Sequence, residues 1–327
     1  MKRIVIVTML LILPVMALGQ QSKPPIVLER ADILKNRTIQ GEVVKELIGD
    51  VMITRGDISI ETQHALYFQE AGKIIFENDV FYQDSLRKLW SDSLIYYIPE
   101  DSLEAIGDVR ITQDVYEINA VVARYTNSRE NVYLDQDVVL YDQEEFVTLT
   151  GEQGFGDKEL EYARVTEDAE LVKEDSLGET EVVINSRLIE YFHQEDRAQA
   201  VDSVRIFLDE TIGKAGLFQY FVDEKRGLLV EEPTIVRGRE EMRADSIFLR
   251  AREEKLDRVE LKGAASVLTP VENDTTGRYN RMYGYYIDIN LVDEKIRDVY
   301  VSGNARSIYF VRDEEDGEDQ GSNKVSG

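Results

Sequence analysis

Apolar and polar side chains alternate along most of this chain in short segments that return at a fixed interval. Gly49-Asp50-Val51-Met52-Ile53, Asn78-Asp79-Val80-Phe81-Tyr82, Gly107-Asp108-Val109-Arg110-Ile111 and Gln136-Asp137-Val138-Val139-Leu140 are spaced 29 residues apart. In each, two apolar positions flank a variable one: Val51/Ile53, Val80/Tyr82, Val109/Ile111 and Val138/Leu140 surround Met52, Phe81, Arg110 and Val139. A period of two with one polar face predicts a half-buried strand. With slippage the element recurs at Glu167-Asp168-Ala169, Asp202-Ser203-Val204, Glu232-Pro233-Thr234-Ile235, Gly263-Ala264-Ala265 and Gly303-Asn304-Ala305, which makes nine copies.

A second element follows the first by eleven residues in the regular copies, for example at Thr62 to Tyr67, Ser91 to Tyr96 and Ala120 to Tyr125, and again at Ser186 to Tyr191 and Ala215 to Tyr220. Its lead-in also alternates, as at Ile58/Ile60 and Tyr116/Ile118. β-Branched and aromatic residues abound and Pro is scarce, so the period predicts stacked units of two or three short strands each. Stacking places Val51, Ile53, Val80, Tyr82, Val109, Ile111, Ile118, Val138, Leu140, Val204 and Ile206 in inward apolar ladders. Extra residues fall around Asp142-Gln143-Glu144, across Lys173 to Glu181 and across Glu272 to Asn280, where loops absorb them. No linker or composition shift interrupts the body of the chain, which reads as one domain.

The ends read differently. Lys2-Arg3, an apolar run from Ile4 to Met16 and Ala17-Leu18-Gly19 follow the pattern of a secretory signal peptide, with cleavage near Gly19. Residues 1–19 are then a leader, 20–312 the repeat domain, and 313–327 an acidic tail expected to be disordered. With no Cys there is neither a lipid attachment point nor a disulfide, so a soluble periplasmic chain is expected. Removing Lys2 and Arg3 leaves 36 basic against 64 acidic residues, a charge of −28 that disfavours nucleic acid as a partner.

The usual catalytic patterns are missing. The chain has two His, His64 and His193, in different repeats, and it lacks a nucleophile elbow, a zinc-protease motif and a phosphate loop. No catalytic residue, metal ligand or cofactor is nominated. Gly151-Glu152-Gln153-Gly154-Phe155-Gly156 falls in the second element of its repeat and reads as structural. The tripeptides Asp84-Ser85-Leu86, Asp92-Ser93-Leu94, Asp101-Ser102-Leu103, Asp175-Ser176-Leu177, Asp202-Ser203-Val204 and Asp245-Ser246-Ile247 resemble an O-glycosylation motif of exported bacterial proteins. Their plainer reading is turn chemistry that opens a strand, with the aliphatic residue starting its buried face.

The Gly-Asp-Val-x-Ile opening followed by Ile-x-small-x-x-Ala-x-Tyr resembles the OstA-like family of periplasmic lipopolysaccharide-transport proteins, the LptA family, best at Gly49 to Tyr67 and Gly107 to Tyr125. The resemblance implies an all-β, elongated, half-open β-jellyroll built from about nine stacked repeats, with acyl chains carried in an apolar groove. The inward ladders above are the candidate groove. Implied partners are lipopolysaccharide, inner-membrane ABC transporter components, an LptD-like outer-membrane protein, and a further copy of the chain docked head to tail on open strand edges at Ile26 to Leu34 and Val299 to Val311. The competing reading of the repeat is an exported β-solenoid that binds or cleaves glycans, or a purely structural envelope protein.

Overall fold

The computed structural model describes residues 24–126, 130–252, 255–271, 277–292, 295–312 and 319–327. The expected leader, residues 1–19, lies outside the described residues. Among the described residues the chain is all-β, with a single 3-10 turn at His193–Glu195 and no α-helix. It divides between Ala169 and Glu170 into two compact units.

In the N-terminal unit the strands are β1 (Val27–Arg30), β2 (Ile33–Ile39), β3 (Glu42–Arg55), β4 (Ile58–Phe68), β5 (Lys73–Gln83), β6 (Lys88–Tyr97), β7 (Ser102–Gln113), β8 (Tyr116–Thr126), β9 (Asn131–Asp142) and β10 (Val147–Asp157). β11 (Tyr162–Glu174) runs through the boundary. The C-terminal unit continues with β12 (Thr180–Phe192), β13 (Arg197–Leu208), β14 (Thr211–Phe221), β15 (Arg226–Val230), β16 (Thr234–Arg237), β17 (Glu240–Arg243), β18 (Ser246–Arg252), β19 (Lys255–Pro270), β20 (Tyr279–Val292), β21 (Lys295–Ser302), β22 (Arg306–Arg312) and β23 (Asp319–Ser326).

Many strands are longer than the repeat pattern suggests, because the first element of a copy is the second half of a strand that bends, while the second element runs along the next strand. The bends are pairs of consecutive residues with positive φ: Gly49-Asp50, Asn78-Asp79, Gly107-Asp108, Gln136-Asp137, Glu167-Asp168, Asp202-Ser203 and Gly263-Ala264 inside strands, and Glu231-Glu232 and Gly303-Asn304 between β15 and β16 and between β21 and β22. One pair falls at each of the nine copies read from the sequence. Gly, Asn and Asp dominate there because other residues pay a steric cost for left-handed backbone. The antiparallel ladder breaks at the same place, so β3 pairs with β4 through Ile48↔His64, skips, and resumes at Val51↔Thr62.

On the partner strand the inside of the bend falls at Thr62, Ser91, Ala120, Ser186 and Ala215, which explains the small residue of the second element. A Cβ on Gly151, in the same place, would lie 2.5 Å from Val165 Cγ1, so the Gly-rich segment is structural. The bend folds the two ladders of a unit onto each other: Leu47, Phe76 and Leu94 before it share one buried cluster with Val51, Val80 and Ile111 after it.

The C-terminal end departs in part from expectation. At the N-terminal end β1 and β2 each pair with β3. The acidic tail is not wholly without structure: β23 pairs with β22 from Arg306↔Ser326 to Arg312↔Asp319 and covers part of the edge expected to be open. It was not legible because Ser322, Lys324 and Ser326 give a strand with no apolar stripe to recognise. Residues 313–318 lie outside the described residues.

Candidate functional site

The eleven candidate groove residues fall into two environments. In the N-terminal unit Val51, Ile53, Val80, Tyr82, Val109, Ile111, Val138 and Leu140 are buried, and half-buried Ile118 packs against their cluster. The space between the two ladders is filled there by the protein's own side chains. In the C-terminal unit Val204 is buried, whereas Ile206 lines an open cleft.

A third inward position sets β13 apart from the earlier strands. Two residues beyond Ile53, Tyr82, Ile111, Leu140 and Leu171 stand Arg55, Asp84, Gln113, Asp142 and Lys173, all buried polar groups. Two of these strand ends stitch the free margins of the folded ladders in the N-terminal unit. Arg55 Nη1 donates to the Tyr96 hydroxyl at 2.6 Å and to the Ile98 carbonyl at 3.0 Å. The Arg87 guanidinium sits 4.5 Å from the centre of the Tyr125 ring and 3.2 Å from Asp84. Burial opposes the Asp84 charge, but Arg87, the backbone N–H groups of Leu86 and Arg87 and the Tyr82 hydroxyl outweigh it and hold its pKa below the ordinary range. Tyr96 is pushed above its ordinary pKa by burial and by its bond to Asp101.

In β13 the equivalent position is Leu208, and no such stitch occurs among the described residues of that strand end. A cleft of about 290 Å³ opens between the ladders. One wall carries Ile206, Leu208, Ile235 and Met242; the other carries Phe218, Leu229, Leu249, Val259 and Ile289. Burial raises the pKa of Tyr220, which lines the same space. Lys225 and Ile296 lie on one lip, with Lys173, Arg237 and Glu240 on the other. Of these residues the sequence reading nominated Ile206 alone. The replacement of a charged third position by Leu208 was the available signal for the rest. The cleft is an apolar slot with charged lips, suited to an aliphatic chain; among the described residues there is no group of His, Cys, Asp and Glu able to hold a metal.

The tripeptide motifs also divide. Leu103 and Ile247 are buried just inside the starts of β7 and β18, as the turn reading requires, whereas Leu94 and Val204 are buried in the middle of β6 and β13 and Leu86 is half-buried. Leu177 is 84% exposed at the tip of a turn in which Asp175 Oδ1 accepts from the N–H groups of Leu177 and Glu179, so that copy does not open a buried face.

Folded antiparallel strands with a bend at every repeat, and an apolar slot between the ladders of the C-terminal unit, define the class: an all-β repeat protein. Residues 69–211 match the family described as "OstA-like protein". Among solved structures the chain matches LptH, "the LptA homologous periplasmic component of the conserved lipopolysaccharide transport device from Pseudomonas aeruginosa", at 11% identity, over 50% of this chain and 76% of that one, with a TM-score of 0.15. No curated protein matches the chain.

Proposed function

We propose that this protein is a periplasmic carrier that shields the acyl chains of lipopolysaccharide on the way to the outer membrane. The observation that carries the reading is the apolar cleft between the ladders of the C-terminal unit, in a chain whose residues 69–211 match the OstA-like family. Each acyl CH₂ removed from water is worth about 0.8 kcal/mol, so a lipid with several chains needs such cover to cross an aqueous gap. The protein does no chemistry in this role; the work comes from an inner-membrane ABC transporter, and the lipid passes on to an LptD-like outer-membrane protein. Strand edges such as β2 dock a like fold, in a heterologous contact that also permits head-to-tail association of copies.

A photoreactive residue at Ile206, which lines the cleft, is expected to capture lipopolysaccharide in cells. The same residue at the neighbouring exposed position Arg205 is expected not to. Equal capture at both, or none at either, removes the carrier reading.

A further inference from the structure

Just outside the lip of the cleft, three arginines stand directly opposite one another on adjacent strands: Arg226 on β15 faces Arg250 on β18, which faces Arg258 on β19. Like charges in direct register destabilise a sheet, and here they occur in a chain of net charge −26. Lys262 joins them, 4.2 Å from the centre of the Phe248 ring, with Arg226 5.9 Å from the same ring. Together they line a surface hollow of about 370 Å³, in which four cations meet two carboxylates, Glu224 and Glu260.

Carboxylates match these four cations one for one. Glu224 lies 3.0 Å from Arg226 Nη2, Asp257 3.3 Å from Arg250 Nε, Asp288 2.8 Å from Arg258 Nε and Glu260 3.1 Å from Lys262. They leave donors over, since a guanidinium has five N–H groups and Arg226 Nε is buried without an acceptor. The row is also tied to the cleft by strand alternation. Lys225 and Gly227 beside Arg226, Leu249 and Ala251 beside Arg250, and Val259 beside Arg258 all line the cleft, so the arginines occupy the opposite face of the same strand ends.

We propose that this row is a docking site for the phosphate of a phosphorylated amphiphile whose aliphatic chain lies in the cleft. The proposal rests on the carrier reading and adds to it a choice of substrate: a phosphate monoester on the head group is preferred over a neutral head group. Planar guanidinium groups grip phosphate through paired N–H donors, and the head group reaches them by folding over the lip at Lys225.

The test uses the purified full chain and three probes: 1-lauroyl lysophosphatidic acid, 1-monolauroylglycerol and glycerol 3-phosphate, with binding measured by calorimetry. The phosphorylated lipid is expected to bind at least tenfold more tightly than the neutral one and to weaken as salt rises, while the neutral one does not. Arg226→Glu/Arg250→Glu is expected to erase the difference and leave the monoacylglycerol affinity unchanged; Arg250→Gln, a milder change, should reduce it in part, and circular dichroism confirms the fold. Competition by glycerol 3-phosphate supports the site with a free phosphate ester as an additional source. Equal affinities for the two lipids in the native protein, or a preference that survives the double reversal, overturn the proposal and leave the cleft standing. If neither lipid binds, the carrier reading falls with it.

Discussion

At the scale of single residues, Asp84 and Arg87 carry a cost that an apolar pair would not. Buried ion pairs rarely stabilise more than well-packed hydrophobic residues, yet removing one partner leaves an uncompensated charge. Arg87→Ala is therefore expected to lower stability by about 3–5 kcal/mol in urea unfolding, and Asp84→Leu/Arg87→Leu to recover only part of that loss, because it leaves the Tyr82 hydroxyl and the Leu86 N–H without their acceptor. The polar stitch has another consequence: on opening it exchanges hydrogen bonds with water at small net cost, which an apolar seam cannot do. The depressed pKa of Asp84 fixes a pH dependence. Its folded value lies below the unfolded value of about 3.9, so its contribution is complete above that pH and is lost as pH falls through the folded value. Urea midpoints of the native protein and Asp84→Asn, compared at pH 7 and pH 3, should converge at the lower pH. A gap that stays constant would show that the charge is not the source.

At the scale of the element, the bend is the unit that repeats. Gly107 has φ +82°, and a Cβ there would lie 2.2 Å from Asp92 Oδ2. Gly178 has a similar φ, +79°, with nothing within 4 Å. Gly178→Ala thus measures the backbone cost alone, about 1–2 kcal/mol, and Gly107→Ala is expected to exceed it. Adding Asp92→Ala to Gly107→Ala should recover part of the excess, since the Cβ at 92 would still lie 2.9 Å away, and none of the backbone cost. Equal losses for the two single variants would show that the Asp92 side chain moves aside freely. The period, the apolar pairs and the small residue were all legible as sequence because each answers a local demand: alternation for a strand, left-handed backbone at the bend, lack of room inside it. That the first element is the second half of a longer, bent strand was not legible, since a bend and a loop use the same Gly and Asp residues.

At the scale of the whole molecule, strands pair with their neighbours in the chain, so stability should be close to a sum over adjacent repeats. Deleting residues 78–106, one whole period, keeps every bend in phase; deleting half of it puts bends opposite straight strand. Circular dichroism and urea unfolding should find the whole-repeat variant β-rich and cooperative and the half-repeat variant disrupted. The reverse order would contradict the phasing.

The sequence by itself determined the all-β class, the nine repeats and the inward identity of Val51, Val80, Val109 and Val138, because a strand's two faces are set by residues two apart. It did not determine where the interior is open. Whether facing ladders close on their own side chains or leave a slot depends on how the summed volumes and margin contacts of distant strands meet, as Arg55 meets Tyr96 across the N-terminal unit while Leu208 meets no such partner. The arginine row was hidden for the same reason: Arg226, Arg250 and Arg258 are scattered in the chain, and only strand register brings them side by side.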